Sequence, residues 1–164
     1  MGVHEEFTEF ATARAARLRE IAYLMCGDWH QAQDLTQQTL AKVYVAWRRI
    51  HARENVDAYA RQVMLRELLT EKRLRRSTER PVADIADRST VADQTDLRLT
   101  LLEALGTLAP NRRAVIVLRY WDDHSVERAA EIMQISGSAV KSLTVRALAD
   151  LREVLGTDLS IIAS

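Results

Sequence analysis

The sequence contains few of the residues that interrupt helices or form covalent cross-links. Glycine occurs 5 times and proline 2 times in 164 residues, which leaves little material for the many turns of a β-protein. The single cysteine, Cys26, excludes an internal disulfide and a cysteine-rich metal site. It lies in an apolar run, which favours a small buried side chain over a reactive thiol. Alanine, leucine, arginine and glutamate are abundant, and this composition predicts an all-α protein.

Long hydrophobic runs are also missing. The longest uninterrupted aliphatic run, residues 114–118, is far too short to span a membrane. The N-terminus carries Glu5, Glu6 and Glu9 in place of the basic and apolar regions of a signal peptide. We therefore expect a cytoplasmic protein without a membrane partner.

Motifs for catalysis and for bound cofactors are absent as well. The four histidines show no metal-ligand spacing, and there is no glycine-rich phosphate loop, nucleophile elbow or Cys–His pairing. Asp122 and Asp123 are adjacent, so their side chains point apart, and we interpret this pair as part of a surface turn. The sequence predicts neither an enzyme nor a protein that holds a cofactor or a metal.

Net charge is zero, with 23 basic and 23 acidic side chains, but the two signs are unevenly distributed. Residues 42–80 carry 11 basic and 5 acidic side chains, and residues 112–152 carry 7 and 5. The segments 1–41 and 81–111 are net negative. Two positive segments separated by an acidic one fit two stretches of phosphate backbone, but the solvated faces of arginine-rich helices fit equally well. Charge alone does not decide between these interpretations.

Apolar residues at helical spacing predict three helices in the first half of the chain, over 5–26, 30–47 and 56–76. The stretch that follows loses this periodicity and contains Pro81 among several Asp, Ser and Thr residues, which is typical of a flexible linker. We therefore expect two small helical domains, over residues 1–77 and 97–164, joined by a linker over 78–96.

In the second half of the chain the helical periodicity resumes, with leucines spaced four, four and three residues apart from Leu97 to Leu108. Pro110 suits the first turn of the next helix, which is expected to reach about residue 121. Ser125 and Ser136 are suited to cap a short helix and a longer one that covers 137–155. A short helix, a tight turn and a longer helix form a helix-turn-helix, whose second helix enters the major groove of DNA.

The last helix is expected to have two faces. Its inward stripe consists of Val140, Thr144, Ala147 and Leu151, which are spaced four, three and four residues apart. The residues that then point outward are Ser138, Lys141, Ser142, Val145 and Arg146. Lys141 and Arg146 suit phosphate or guanine, and Val145 suits the methyl group of thymine. A helical hairpin produces such a pattern by chance as well.

The amino-acid sequences of several segments resemble those of a known family. Residues 108–120 (LAPNRRAVIVLRY), 125–132 and 136–148 (SGSAVKSLTVRAL) resemble the fourth conserved region of extracytoplasmic-function sigma factors. Residues 34–47 (DLTQQTLAKVYVAW) and 57–64 (DAYARQVM) are similar to the second region of the same family. The two matches occur in the family's order and cover nearly the whole chain, and the SigE-like branch is the most similar.

The resemblance implies a division of labour between the two domains. The first would dock on the clamp helices of the polymerase β′ subunit through Asp34, Gln37, Gln38 and Thr39. It would also face the −10 element, help to open the duplex and hold an extruded base, a task that requires cations along the phosphates and a pocket or aromatic surface for the base. The residues implied there are Arg53, Tyr59, Arg61, Arg66, Lys72 and Arg73. The second domain would grip the β flap and read the −35 element of promoter DNA with the outward face of the last helix.

Three positions differ from the family pattern, and two other classes of protein stay open. Arg66 stands where members commonly have Asn, Glu71 where the SigE-like branch often has Trp, and Leu143 where a polar residue is usual. The alternatives are a conventional helix-turn-helix regulator, which would need a self-complementary surface, and a helical adaptor whose basic stripe binds an acidic protein. An anti-sigma protein is a further candidate partner.

Overall fold

Seven α-helices and one π-helical turn make up the described part of the chain. The computed structural model describes residues 2–51, 55–77 and 96–156, without the side chains of 72–77 and 96–98. The elements are α1 (Val3–Cys26), α2 (Trp29–Ile50), α3 (Val56–Ser77), α4 (Asp96–Gly106), α5 (Pro110–Ile116), the π-turn (Val117–Trp121), α6 (Val126–Met133) and α7 (Gly137–Leu155). The all-α prediction is confirmed. The expected linker lies, except for Asp96, outside the described residues.

The first three helices form a bundle, called here the N-terminal bundle. Gly27 ends α1 with a left-handed φ of +80°, and its N–H donates to the carbonyl oxygen of Tyr23 at 2.7 Å. Asp28 follows at once and caps α2 by accepting from the backbone N–H groups of His30 and Gln31. This short connection places α1 beside α2, and α3 packs against α2. Among the side chains buried between them are Leu18, Ile21, Leu35, Val43, Met64 and Leu68.

The C-terminal bundle, α4 to α7, contains the helix-turn-helix. Ser125 accepts a hydrogen bond from the N–H of Arg128 at 3.0 Å, and Ser136 accepts one from the N–H of Ala139 at 3.1 Å. Both predicted caps are therefore confirmed. Gln134 adopts a left-handed conformation with φ +56° and reverses the chain between α6 and α7. None of the helices in the described ranges is long and apolar enough to cross a bilayer.

The segment from Pro110 to Trp121 is helical, as predicted, but it is not one regular α-helix. The α-helical part ends at Ile116, and the N–H of Asp122 then reaches back five residues to the carbonyl oxygen of Val117 at 3.0 Å. This hydrogen bond widens the last turn into a π-turn. Periodicity alone does not indicate where the α-helix changes into the π-turn, because the residues on both sides of that point are apolar and buried, namely Val115, Ile116, Val117 and Leu118.

The two bundles pack directly against each other. Helix α1 contacts α4, α5 and the π-turn, and α3 contacts α6. Buried residues of both bundles belong to one continuous apolar core. At its edge, the buried guanidinium of Arg113 donates from Nε to the carbonyl oxygen of Leu24 at 2.7 Å. Burial lowers the pKa of Arg113, and the negative end of the α1 dipole lies beside this cation.

Candidate nucleic-acid and polymerase interface

Helix α7 has the two faces that its sequence predicts. Val140, Ala147 and Leu151 are fully buried, and half-buried Thr144 donates its hydroxyl to the carbonyl oxygen of Val140 at 2.7 Å. The five residues predicted to point outward are all exposed, namely Ser138, Lys141, Ser142, Val145 and Arg146. Val145 is 67% exposed, so its methyl groups are accessible to a partner. This face therefore has the small, cationic and apolar groups that base edges and phosphates require.

The exposed face of α2 contains three of the four residues assigned to polymerase. Asp34, Gln37 and Gln38 are exposed. Thr39 is fully buried, and its hydroxyl donates to the carbonyl oxygen of Leu35 at 2.7 Å. The structure thus places the side chain of Thr39 in the core, because it belongs to the same helical stripe as Leu35. The surface that a partner can reach is formed by the other three residues.

An open cavity lies where α2, α3 and the helix-turn-helix meet. Its volume is about 380 Å³, and Arg49, Tyr59, Gln62 and Gln134 are among its lining residues. The guanidinium carbon of Arg49 lies 5.7 Å from the centroid of the Tyr59 ring, and Nη2 of Arg49 donates to the Tyr59 hydroxyl at 3.4 Å. A cation and an aromatic ring are therefore adjacent, and groups of both kinds stack on unpaired bases in proteins that bind single strands.

Arg61, which the sequence assigns to the −10 element, is not available in this conformation. Its side chain is 6% exposed, and Nε and Nη2 both donate to the carboxylate of Asp122, the latter at 3.2 Å. Nη1 donates to the carbonyl oxygen of Asp57 at 3.2 Å. In this conformation a carboxylate of the C-terminal bundle occupies the guanidinium, and the assignment of Arg61 to the −10 element stays a prediction.

The remaining residues assigned to the −10 element are described to different extents. Arg66 is exposed, and its Nη2 donates to Oε1 of Gln134 at 3.3 Å. Lys72 and Arg73 belong to the last turns of α3, where only the backbone is described. Arg53 lies outside the described residues.

The carboxylate of Asp122 is the centre of a buried polar cluster. Its side chain is 4% exposed and lies 2.6 Å from Nε2 of His124 and 3.3 Å from Nη2 of Arg17. The same Arg17 nitrogen donates to the carbonyl oxygen of Trp121 at 2.7 Å. Burial acts to raise the pKa of Asp122, but the hydrogen bonds from His124 and Arg61 outweigh it and lower the pKa to about 2.

The surface-turn interpretation is therefore wrong for Asp122, although it holds for its neighbour Asp123, which is exposed with φ +54°. The described residues include no group of three or more histidine, cysteine or acidic side chains that could hold a metal ion. The carboxylate of Asp122 therefore faces Arg17 and Arg61 of the N-terminal bundle.

A cleft of about 460 Å³ separates the end of α3 from the helix-turn-helix. Leu65 and Leu69 line its α3 side, while Ser142, Leu143 and Arg146 line the opposite side. Leu65 and Leu69, which precede the basic end of α3, therefore face part of the outward face of α7 across this cleft. Leu143, which departs from the family pattern, contributes apolar surface to this cleft.

Comparison with known proteins explains the two-bundle arrangement. The family model for sigma-70 region 2 matches residues 10–78, and the model for sigma-70 region 4 matches residues 98–151. The RNA polymerase sigma-E factor of Streptomyces coelicolor is 37% identical over 158 residues, which cover 94% of this chain and 89% of that protein. The chain belongs to the extracytoplasmic-function sigma factors of the sigma-70 family. The sigma-E factor of Streptomyces avermitilis is 38% identical to this sigma factor, over 92% of this chain and 85% of that protein.

Two solved structures share the fold of the sigma factor over both bundles. The sigma factor RpoE of Bartonella quintana, in complex with the anti-sigma factor NepR, matches 94% of this chain and 99% of its own with a TM-score of 0.80 and 24% identity. CnrH, in complex with the cytosolic domain of CnrY, matches 94% of this chain and 90% of its own with a TM-score of 0.71 and 22% identity.

Proposed function

We propose that this RNA polymerase sigma factor reads the −35 promoter element with the exposed face of α7. The observation that carries the proposal is the pattern of exposure along that helix, where Lys141, Val145 and Arg146 are exposed and Val140 and Ala147 are fully buried. Because Ser136 caps the helix and α6 supports it, its first turns are rigid enough to enter a major groove. The rest of this bundle would grip the polymerase β flap.

The N-terminal bundle would bind the polymerase itself. Asp34, Gln37 and Gln38 form an exposed polar patch on α2, while the interior of that helix is anchored in the core by Leu35 and Val43. A patch of this kind on a rigid helix suits a helical partner such as the β′ clamp helices. Thr39 would support this patch from inside, because its side chain does not reach the surface.

The same bundle would open the −10 region. The cavity beside Tyr59 and Arg49 offers a cation and an aromatic ring to an unstacked base. Arg61, Arg66, Lys72 and Arg73, with Arg53, would supply cations along the phosphate backbone. Arg61 can do so only after it has exchanged Asp122 for a phosphate group.

The proposed setting is the bacterial cytoplasm, with core RNA polymerase and promoter DNA as the partners. An anti-sigma protein is a further partner in this proposal, since RpoE of Bartonella quintana, which shares the fold, was solved in complex with an anti-sigma factor. Two weakly binding bundles tethered in one holoenzyme would reach promoter specificity through their raised effective concentration.

The test is co-elution of the full chain with bacterial core RNA polymerase, followed by run-off transcription from a pooled promoter library. Co-elution together with promoter-dependent transcripts supports the proposal and yields the recognised promoter sequences. If the chain fails to bind core polymerase but binds duplex DNA alone, a conventional helix-turn-helix regulator is the correct assignment. If it binds neither, the proposed function is wrong under the conditions of the test.

A further inference from the structure

We infer that the cleft between the end of α3 and the helix-turn-helix is a binding site for a small amphipathic anion, in which an anionic head group on an aliphatic chain binds Arg146 from free solution. The chain of this ligand lies among apolar side chains of both bundles. The site itself does not depend on the proposed function. Only its consequence, a competition between the ligand and −35 DNA for Arg146, rests on that function.

The cleft has the size of a small-molecule site. Its volume of about 460 Å³ lies within the range of about 300–1,000 Å³ that is usual for pockets that bury small ligands. An α-helix with its side chains is about 10–12 Å across and rises about 5.4 Å per turn, so the cleft would hold roughly one turn of a partner helix. A single aliphatic chain therefore fits the cleft better than a protein segment does.

The walls of the cleft carry incompletely covered apolar side chains. They come from α3, from the turn of the helix-turn-helix and from α7, and include Leu69, Met133, Ile135 and Leu143. Ile135 is 36% exposed, and the other three are half-buried. Apolar surface from three separate elements thus meets at one concave place, which is typical of a ligand pocket and not of scattered surface residues.

The polar groups of the cleft suit an anion. The amide of Asn111, the hydroxyl of Ser142 and the guanidinium of Arg146 can each donate a hydrogen bond. No acidic side chain is among the described residues that line the cleft. Within residues 2–51, 55–71 and 99–156, no carboxylate forms a salt bridge with Arg146. A ligand that enters the cleft therefore meets one cation and two neutral donors without a repelling charge.

Arg146 and Leu143 hold the two parts of the ligand next to each other. Residues three apart are neighbours on the surface of a helix, so the cation that binds the head group lies beside apolar surface that contacts the chain. Short carboxylates without a chain would gain only the contact with Arg146. The cleft therefore selects anions that carry an aliphatic chain.

The ligand and −35 DNA exclude each other in this arrangement. Ser142 and Arg146 belong both to the cleft and to the exposed face of α7. A guanidinium uses the same N–H groups for a carboxylate, a phosphate oxygen or a guanine edge. A bound ligand therefore removes Arg146 from the face that reads the −35 element.

The first experiment detects the ligand at a single residue of the cleft. Octanoate is titrated into the full chain, and nuclear magnetic resonance follows isotope-labelled methionine methyl groups, with Met133→Leu identifying the signal of Met133. We expect this signal to shift and to saturate. Met25 and Met64 are the internal controls, since they are 2% and 0% exposed in the core and their signals should stay in place. An unchanged Met133 signal at about 10 mM octanoate, a high concentration for a ligand of this size, overturns the inference.

A series of chain lengths separates a ligand in the cleft from an ion on the surface. Hexanoate, octanoate and decanoate carry the same head group and differ by two methylene groups each. Each step is expected to tighten binding about tenfold, since burial of one methylene alone is worth about fourfold. Equal affinities would mean that only the carboxylate is bound, and they overturn the inference.

Arg146→Gln tests the head group. This variant is expected to bind octanoate about tenfold more weakly, because a charge-assisted hydrogen bond is lost. Its affinity for octanol, which has no charge, should stay within about twofold of the affinity of the unchanged protein. Arg152→Gln is the matched control, since it removes the same charge from an exposed position on the same helix. If the two variants bind octanoate alike, the anionic head group is assigned wrongly.

Leu143→Gln tests the chain. It is expected to weaken octanoate and octanol equally, by about tenfold, because both lose apolar contacts. Val154→Gln is the control, since Val154 is an apolar residue of α7 that is 50% exposed and lies outside the cleft. Equal octanoate affinities of these two variants overturn the inference. Circular dichroism verifies folding, and the chain-length series on the unchanged protein decides the matter if Leu143→Gln does not fold.

Run-off transcription tests the competition. The sigma factor is mixed with octanoate at about ten times its dissociation constant before core polymerase is added, and transcription is expected to fall by up to about tenfold, the limit for direct competition. Leu143→Gln, compared with itself without octanoate, should lose this sensitivity. If octanoate inhibits both proteins equally or inhibits neither, the competition is wrong. The methyl signals need neither polymerase nor promoter, so they decide on the site even if the chain does not co-elute with core polymerase.

Discussion

Arg113 and Leu24 join the two bundles by a hydrogen bond of 2.7 Å from the Arg113 Nε to the Leu24 carbonyl oxygen. Leu24 lies in the last turn of α1, where carbonyl groups lack partners within the helix. Glycine is favoured at position 27 by its left-handed φ of +80°, and a Cβ atom built there would lie 3.4 Å from Nη2 of Arg113, an ordinary van der Waals contact. One side chain of α5 thus satisfies the end of a helix from the other half of the chain.

Replacing Arg113 by alanine is expected to lower the free energy of unfolding by about 1–3 kcal/mol, because it leaves the Leu24 carbonyl without its buried partner. Urea denaturation followed by circular dichroism measures this change. Arg152→Ala is the control, since Arg152 is exposed on α7 and its loss should cost less than about 0.5 kcal/mol. Equal losses in the two variants would contradict the bridging role of Arg113.

Lys141→Ala and Arg146→Ala are each expected to weaken promoter binding by the holoenzyme by about 1–3 kcal/mol, the value of one good base or phosphate contact. Both side chains are exposed on α7, so neither substitution should disturb the core. Binding to core polymerase is expected to stay unchanged, and gel-shift and co-elution assays on the same samples measure the two properties. Loss of polymerase binding with intact promoter binding would refute the assignment of α7 to DNA.

Asp34→Ala is expected to weaken binding to core polymerase about tenfold, as loss of one important charged contact at an interface does. Fluorescence titration of labelled sigma factor with core enzyme provides the measurement. Glu9→Ala removes an exposed carboxylate from α1 and controls for the change in net charge. If the two variants bind alike, the α2 face is not the contact surface.

Asp122 is expected to make stability depend on acid pH. Its pKa in the folded protein is lowered to about 2 from an ordinary value of 3.8, so its ionised form stabilises the fold above about pH 4. This stabilisation is lost as the pH falls from about 4 towards 2. Urea midpoints measured at several pH values should therefore fall more steeply for the unchanged protein than for Asp122→Asn. If the urea midpoints of the two proteins change with pH in parallel, the ionised carboxylate of Asp122 does not stabilise the fold as its contacts indicate.

The helices and their caps could be predicted from the sequence because each depends on neighbouring residues. Helix α7 begins and ends where Ser136 and the apolar spacing place it, and α3 differs from its predicted range by one residue. The outward face of α7 was predictable for the same reason. Once one residue of a helix is known to be buried, the helical period determines which other residues lie on the same buried face.

The contacts between the bundles could not be predicted in this way. Arg61 and Asp122 are 61 residues apart, and each alone resembles an ordinary surface charge. The family resemblance therefore implied a DNA contact for Arg61, and the adjacency of Asp122 and Asp123 was interpreted as a surface turn. Burial of Thr39 was predictable in principle, since it lies four residues after Leu35 and four before Val43, both of which are buried.

The π-turn holds one residue more than an α-helical turn, because its closing hydrogen bond reaches back five residues, from Asp122 to Val117. An extra residue in a regular α-helix would rotate everything after it by about 100°, but a wider turn accommodates the residue with little change of direction. The Trp121 carbonyl and the Asp122 carboxylate therefore still reach Arg17 and Arg61. The wider turn is thus the point at which this stretch tolerates a change of one residue in length without redirecting the carboxylate that follows it.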